Sequence, residues 1–239
     1  MRDLKLRGDS ANEAGMNAAL KNGRDRQYRA LLLDFGTVIQ KSFFETRADI
    51  EKLLQIPPGT LAWTGPFDPG SDRLWRQVVS GAFPERAYWD QRAREVGHLI
   101  GENWTIQDFC RKHGELPPSV ILRPEMLDLI SDVKQAGLKF GILTNELELF
   151  HGKDWLLTMP FAQIVDALVD ATHTHILKPD PRAYALALEA LDLGADQVVF
   201  IDDQPRNVAG GTAAGMRSLH LDPTDPLACV MDARRMLGL

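Results

Sequence analysis

Apolar positions in this chain come in two patterns. Short continuous runs end on a polar residue, and longer segments show apolar residues at helical spacing. The first run, from Tyr28 to Asp34, contains Ala30-Leu31-Leu32-Leu33 and reads as a buried strand. From Ser42 to about Val120 the pattern changes. No buried strand is predicted there. Pro57-Pro58-Gly59 and Gly65-Pro66 break the stretch into short pieces, and Asp72–Ser80 and Glu85–Gly97 read as amphipathic helices. After Pro117-Pro118 a regular alternation sets in. Pro124–Ala136 is predicted as a helix, with proline in its first turn and Gly137 just past its end. Phe140–Leu143 is a short strand. Gln163–Val169 is a strand or starts as a helix. Arg182–Leu191 is a helix, Val198–Ile201 a strand, Pro205–Ala214 a helix, Ser218–Leu221 a strand and Leu227–Leu237 a final helix. Strands alternating with helices predict an α/β fold with a doubly wound parallel sheet.

The expected organisation is therefore a core formed by residues 28–41 and 121–239, a helical insertion over 42–120, and an N-terminal extension over 1–27. That extension is polar, lacks the apolar stretch of a secretory signal, and is expected to be flexible or a loosely docked helix. Four of the five tryptophans (Trp63, Trp75, Trp89 and Trp104) fall in the insertion and read as core rather than as a substrate platform.

Bulk composition narrows the choice of chemistry. With 44% hydrophobic and 25% charged residues, the chain is ordinary for a globular protein. A net charge of −6 without a long basic run disfavours nucleic acid as a partner. No run approaches the roughly 18 apolar residues needed to span a bilayer. The two cysteines, Cys110 and Cys229, have no metal or redox spacing, so a cytoplasmic setting is expected.

The chemistry sits where the runs end. Asp34 closes the first strand ahead of Gly36-Thr37, which places a carboxylate at the carboxyl edge of the sheet, where open α/β folds bind ligands. Thr144-Asn145, Lys178-Pro179 and Asp202-Asp203 also follow strands or strand-like segments. Phosphoryl transfer to a carboxylate needs a nucleophile, a charge-neutralising cation and donors for the transferred oxygens. Asp34 is the candidate nucleophile and metal ligand. Asp202 and Asp203 are candidate metal ligands, Asp202 the stronger, since Asp203 is also placed to cap the following helix. Thr144, Asn145 and Lys178 are candidate phosphate donors, and Asn207 a support for the carboxylates. His173 and His175 form a His-x-His pair, but without further ligands they read as structural.

These segments resemble four motifs of the haloacid dehalogenase superfamily of hydrolases, in order: Leu31–Ile39, Gly141–Asn145, Lys178–Pro181 continuing to Tyr184, and Val199–Asn207. The resemblance spans about Arg29 to Leu221. It implies a Rossmann-like core, an aspartyl-phosphate intermediate on Asp34, Mg²⁺ as cofactor with the Gly36 carbonyl among its ligands, and a helical cap inserted after the first motif. Ser80-Gly81 and Tyr88-Trp89 resemble cap helices of the subgroup that includes sugar-phosphate phosphatases. The expected activity is Mg²⁺-dependent hydrolysis of small phosphate monoesters by a monomer or homodimer with no membrane partner. The alternatives are a 2-haloacid dehalogenase-type reaction, or a silent binding protein with the same fold. One position departs from the pattern: most phosphatases of the superfamily carry a second aspartate two residues after the nucleophile, and here that residue is Gly36. Glu45 and Asp49 are the nearest carboxylates in sequence that could replace it as general acid.

Overall fold

The four residues of β1, Ala30–Leu33, are all fully buried, as a strand covered on both faces requires. A computed structural model describes residues 26–239 and places β1 at the centre of a five-stranded parallel sheet. The other strands are β2 (Lys139–Thr144), β3 (Ala167–Asp170), β4 (Val198–Asp202) and β5 (Arg217–His220), in the order β3-β2-β1-β4-β5. β4 is buried along its whole length, whereas the edge strand β5 is half-buried or exposed throughout. The expectation for the extension over 1–27 lies almost wholly outside the described residues; at its end, Arg26 Nη1 donates to the Leu237 carbonyl.

Alternate residues of β1 feed two cores. Leu31 and Leu33 face a core shared with Phe140, Ile142, Val199 and Ile201, covered by the Pro124–Gln135 and Pro226–Leu237 helices. Ala30 and Leu32 face a second core with Tyr184, Ala187, Leu191 and Phe200, beneath the Pro181–Leu191 and Pro205–Ala213 helices. The last of these lies so close to the sheet that a Cβ at Gly211 would stand 2.6 Å from the Phe200 ring. Glycine is required there for the approach.

Between Phe43 and Ile121 the described residues form helices and loops and no strand, as the pattern predicts: Phe43–Leu54, Arg73–Val79, Glu85–Leu99, Ile106–His113 and Pro118–Ile121. Aromatic rings hold them together. Phe43, Phe44, Trp63, Trp75, Tyr88, Trp89 and Phe109 form a chain of edge-on and tilted contacts with centroids 4.7–6.4 Å apart. Trp63 and Trp104 are buried. The chain leaves and re-enters the sheet region on two adjacent linkers joined by an antiparallel bridge between Gln40 and Leu122.

His113 seals the underside of this segment. The Gln40 amide donates to Nδ1 at 3.3 Å, Nε2 lies 2.9 Å from Thr46 Oγ1, and that hydroxyl donates to the Ser42 carbonyl. A neutral ring protonated on Nε2 satisfies all three contacts. Burial, reinforced by nearby His151, pushes the His113 pKa down to about 3. In the unfolded chain the same ring takes up a proton near 6.5. Between these values the unfolded state binds the extra proton, so stability is fully present above about pH 6.5 and is lost as pH falls towards 3. A thermal melt series should show Tm falling below about pH 6.5, and His113→Gln should make that fall shallower while lowering Tm at neutral pH.

Candidate functional site

Strand order brings the candidate residues together. The chain runs outward from β1 to β3 on one side, then crosses back to β4 on the other. The β1/β4 boundary is therefore the switch point, where a crevice opens at the carboxyl ends of the strands. Leu33 pairs with Ile201, and the Asp34 amide donates to the Ile201 carbonyl at 2.9 Å, so Asp34 and Asp202 leave the sheet side by side. Leu33 also pairs with Ile142, which places Thr144 just beyond Asp34 on the other flank.

Lys178 joins the two carboxylates. Its ammonium lies 2.9 Å from Asp34 Oδ1 and 2.6 Å from Asp202 Oδ2, with the side chain almost entirely buried. These are short charge-assisted contacts in a setting where an unpaired charge is costly. Burial alone favours neutral Lys178, but Asp34 and Asp202 outweigh it and the net shift of its pKa is upward. Asp34 also accepts the Phe35 amide at 2.7 Å. Burial raises its pKa to about 6; Lys178 opposes that rise and Asp202 adds to it.

Asp202 is fully buried and multiply held. Besides Lys178, it accepts the Gln204 amide at 2.9 Å and the Asn207 Nδ2 at 3.0 Å, the supporting position expected for Asn207. Asp203 does not cap the following helix; Gln204 occupies that position. Its carboxyl faces Asp34, Asp202 and Glu85, and burial together with these three groups raises its pKa well above the usual range. Oxygen atoms of Asp34, Asp202 and Asp203 all lie within 4.8 Å of one another. Three hard oxygen donors at this spacing suit an oxygen-seeking divalent cation such as Mg²⁺. Of the three, Asp202 is the one most engaged by protein donors, which leaves Asp34 and Asp203 the freer carboxylates.

Asn145 departs from its expected role as a phosphate donor. Its Nδ2 donates to the Lys178 carbonyl at 3.2 Å and its Oδ1 accepts the Lys178 amide at 2.7 Å. The side chain clamps the Lys178 backbone from both sides and so aims the ammonium. Thr144 is buried at the end of β2 as expected. The expectation for Glu45 also fails. Both its oxygens are bound by the Arg123 guanidinium at 2.9 Å, and Oε2 accepts the Ser42 amide and hydroxyl too. Asp49 pairs with Lys52 on an exposed helix face. His173 bonds to Glu148, and among the described residues neither it nor His175 belongs to a cluster of three or more metal-ligating side chains.

Glu85 is the carboxyl from the helical segment that sequence reasoning did not find. It opens the Glu85–Leu99 helix and faces Asp202, Asp203 and Arg206. Burial raises its pKa, with Trp89 and Arg206 opposing. The next residue also reaches the sheet side: Arg86 Nη1 lies 2.7 Å from Glu146 Oε2, two residues past Thr144, and its guanidinium covers the Phe150 ring at 5.0 Å. Only the Pro84-Glu85 helix start is visible in the sequence, and nothing in it points to the rim. A cavity of about 550 Å³ lies wholly inside the helical segment, lined by Trp63, Asp72, Arg92 and Glu95 among others, and includes none of the site residues.

Comparison with known proteins shows the family. The family model for haloacid dehalogenase-like hydrolases matches residues 28–215, and the chain belongs to that family. It is 25% identical over 216 residues to acyl-CoA dehydrogenase family member 10 of Mus musculus, a match that covers 89% of this chain and 19% of the mouse protein. It is 30% identical over 175 residues to a sesquiterpene phosphatase of Aspergillus oryzae, covering 70% of this chain and 81% of that protein. The chain spans less than two thirds of the length of several curated relatives it matches. Among solved structures, a magnesium-bound HAD-hydrolase of Bacillus subtilis superposes with a TM-score of 0.64 at 18% identity, covering 90% of this chain and all of that one. That likeness carries the fold.

Removing the ammonium tests the bridge. In metal-free protein at neutral pH, Lys178→Met should cost about 3 kcal/mol or more in urea unfolding, because Asp34 and Asp202 lose their buried partner. Adding Asp202→Asn should recover part of that loss.

Proposed function

We propose that this chain hydrolyses small phosphate monoesters, sugar phosphates among them, using Asp34 as the nucleophile. The observation that carries the reading is the Lys178 ammonium set between Asp34 at 2.9 Å and Asp202 at 2.6 Å, beside Asp203. An Asp34 carboxylate oxygen attacks phosphorus, and the bond from phosphorus to the ester oxygen breaks. Water then attacks the phosphoryl group on Asp34, releasing inorganic phosphate and restoring the carboxylate. Two of the three ammonium protons of Lys178 are taken up by carboxylates, and on this reading the third would serve a phosphoryl oxygen. The Thr144 hydroxyl is the second donor, and Asn145 holds Lys178 in register. Asp34, Asp203, Asp202 and the Gly36 carbonyl are the residues that would hold Mg²⁺. When bound, the ion supplies positive charge that offsets the carboxylates and the incoming phosphate.

Residues 42–120 are read as a cap over this rim, tethered through Arg86 and Glu146. The paired carboxylates Asp202 and Asp203 favour phosphate over C–halogen hydrolysis, since a second and third negative charge beside the nucleophile suits a cation-dependent reaction. Gly36 offers no side chain to protonate the leaving group. Esters that leave readily, such as anomeric sugar phosphates and acyl phosphates, are the preferred class.

The test is phosphate release from anomeric and alkyl sugar phosphates and an aryl phosphate, with Mg²⁺ or chelator. Release should require both Mg²⁺ and Asp34, and Asp34→Asn should abolish it. Release of halide from 2-haloacids with chelator present, and no phosphate release, would overturn the reading. A second outcome follows from Gly36. Its φ is −63°, and a Cβ there would meet nothing within 4 Å, so neither backbone nor space demands glycine. Gly36→Asp should raise kcat on alkyl phosphates, by up to about 10²-fold, and change aryl phosphate turnover far less.

A further inference from the structure

The turn that follows Asp34 is held in a conformation its own sequence resists. Thr37 adopts φ 62° and ψ −23°. For a β-branched residue this left-handed region is a genuine outlier. Such a backbone persists only where its surroundings over-determine it. One side chain binds the carbonyl of that residue.

Arg123 is buried, and its guanidinium reaches three segments. Nη2 donates to the Thr37 carbonyl at 3.0 Å. Nη1 and Nη2 bind the two Glu45 oxygens at 2.9 Å each, a planar fork on a carboxylate. Glu45 is itself fixed by the amide and hydroxyl of Ser42, and Glu125 Oε1 stands 3.7 Å from Nη1. The three segments are the turn behind the nucleophile, the first turn of the helix entering the 42–120 segment, and, through Glu125, the first turn of the helix leaving it. Backbone bonds run alongside: the Lys41 amide donates to Ile121 and the Arg123 amide to Ile39. Lysine could replace the charge but not the fork.

We infer that Arg123 is a positioning residue, which by gripping the Thr37 carbonyl and Glu45 together fixes the 35–39 turn and, through it, the direction in which Asp34 and the Gly36 carbonyl face the acidic rim. It touches none of the reacting atoms. The activity half of this inference rests on the phosphatase reading; the conformational half does not.

The experiment uses the full chain carrying Arg123→Lys, Glu45→Gln and Thr37→Gly, singly and with Thr37→Gly added to each of the other two. Arg123→Lys should lower kcat on the best phosphate ester by roughly 10²-fold with KM little changed, the scale expected when a reacting group is misplaced by about 1 Å. Glu45→Gln keeps the volume and one acceptor, and should lose less in the same direction. Thr37→Gly should return about tenfold of the Arg123→Lys loss, because glycine takes positive φ freely. Amide hydrogen exchange should quicken over residues 35–39 in Arg123→Lys and stay near wild type in β2 and β5. A kcat loss that Thr37→Gly leaves untouched, with exchange quickened along the whole chain, would reduce Arg123 to a fold-stabilising residue and overturn the inference. Unchanged exchange over 35–39 would overturn it equally. If wild-type protein released no phosphate from any ester, the proposed function would fail, while the exchange comparison, which needs no substrate, would still decide the clamp.

Discussion

Three carboxylates within 4.8 Å of one another at the end of a sheet repel, and one buried ammonium makes the arrangement tenable. Lys178 does this from a loop, so its own position must be enforced. Asn145, at the end of β2, grips the Lys178 amide and carbonyl, and Asn207 and the Gln204 amide hold Asp202 from the far side. The Tyr184 hydroxyl donates to the Asn207 carbonyl and locks the helix after Lys178 to the helix after Asp203. The rim is thus a closed circuit of charge and hydrogen bonds resting on two strand ends in register. Lys178 offsets only part of the negative charge of the three carboxylates, and the remainder would suit the divalent cation of the proposed reaction.

Sequence exposed this circuit only where it coincides with the end of a strand. Asp34, Thr144 and Asp202 were legible because an apolar run that stops on a polar residue marks both a strand and the edge it leads to; Lys178, on a loop eight residues past β3, was legible only through the Lys-Pro motif it opens. The doubly wound sheet was legible for the same reason, and the strands depart from the expected ones by a few residues at their ends. Asn145 was placed correctly, but its side-chain contacts are with Lys178. A short amide near a phosphate site reads as a phosphate donor, and only the folded chain shows that both its ends are bonded to the Lys178 backbone. Glu45 misled for a related reason. Closeness in sequence suggested closeness to the chemistry, whereas the helix carries Glu45 down to Arg123. Glu85, forty residues further on, is returned to the rim by the packing of aromatic rings and by Arg86 on Glu146. Contacts between helices of this kind leave no mark in a local pattern.

The helical segment is organised differently from the sheet it adjoins. Strand pairing sets the register of the core residue by residue, while the 43–121 helices depend on large rings whose contacts are edge-on or tilted rather than interlocked. Two linkers bridged at Gln40 and Leu122, the packing of the Ile106–His113 helix on the Leu147–His151 helix, the Trp155 indole on the Gly114 carbonyl and the Arg86–Glu146 pair join the two. Arg86 and Glu146 are both partly exposed, so their attraction is weak and screened. The Arg123–Glu45 pair lies in a far less solvated place. The root of the segment is thus held by a buried pair, and its Arg86 end by an exposed one.

That asymmetry bears on Gly36. A carboxyl at position 36 would stand on the same turn as the nucleophile and hold a fixed relation to it. The open space around Gly36 means the turn tolerates a side chain, so the fold does not explain the glycine. Glu85, by contrast, belongs to the Arg86 end, and its approach to the rim depends on how the helical segment sits. Chemistry that relied on a proton from position 36 would run whether or not the crevice was covered. Without it, the leaving group must either need little help or be met by a group from the covering segment, and both routes link turnover to the substrate that the segment closes upon. On the phosphatase reading, the missing side chain would shift the burden of selectivity away from the strand ends and towards the helical surface facing them.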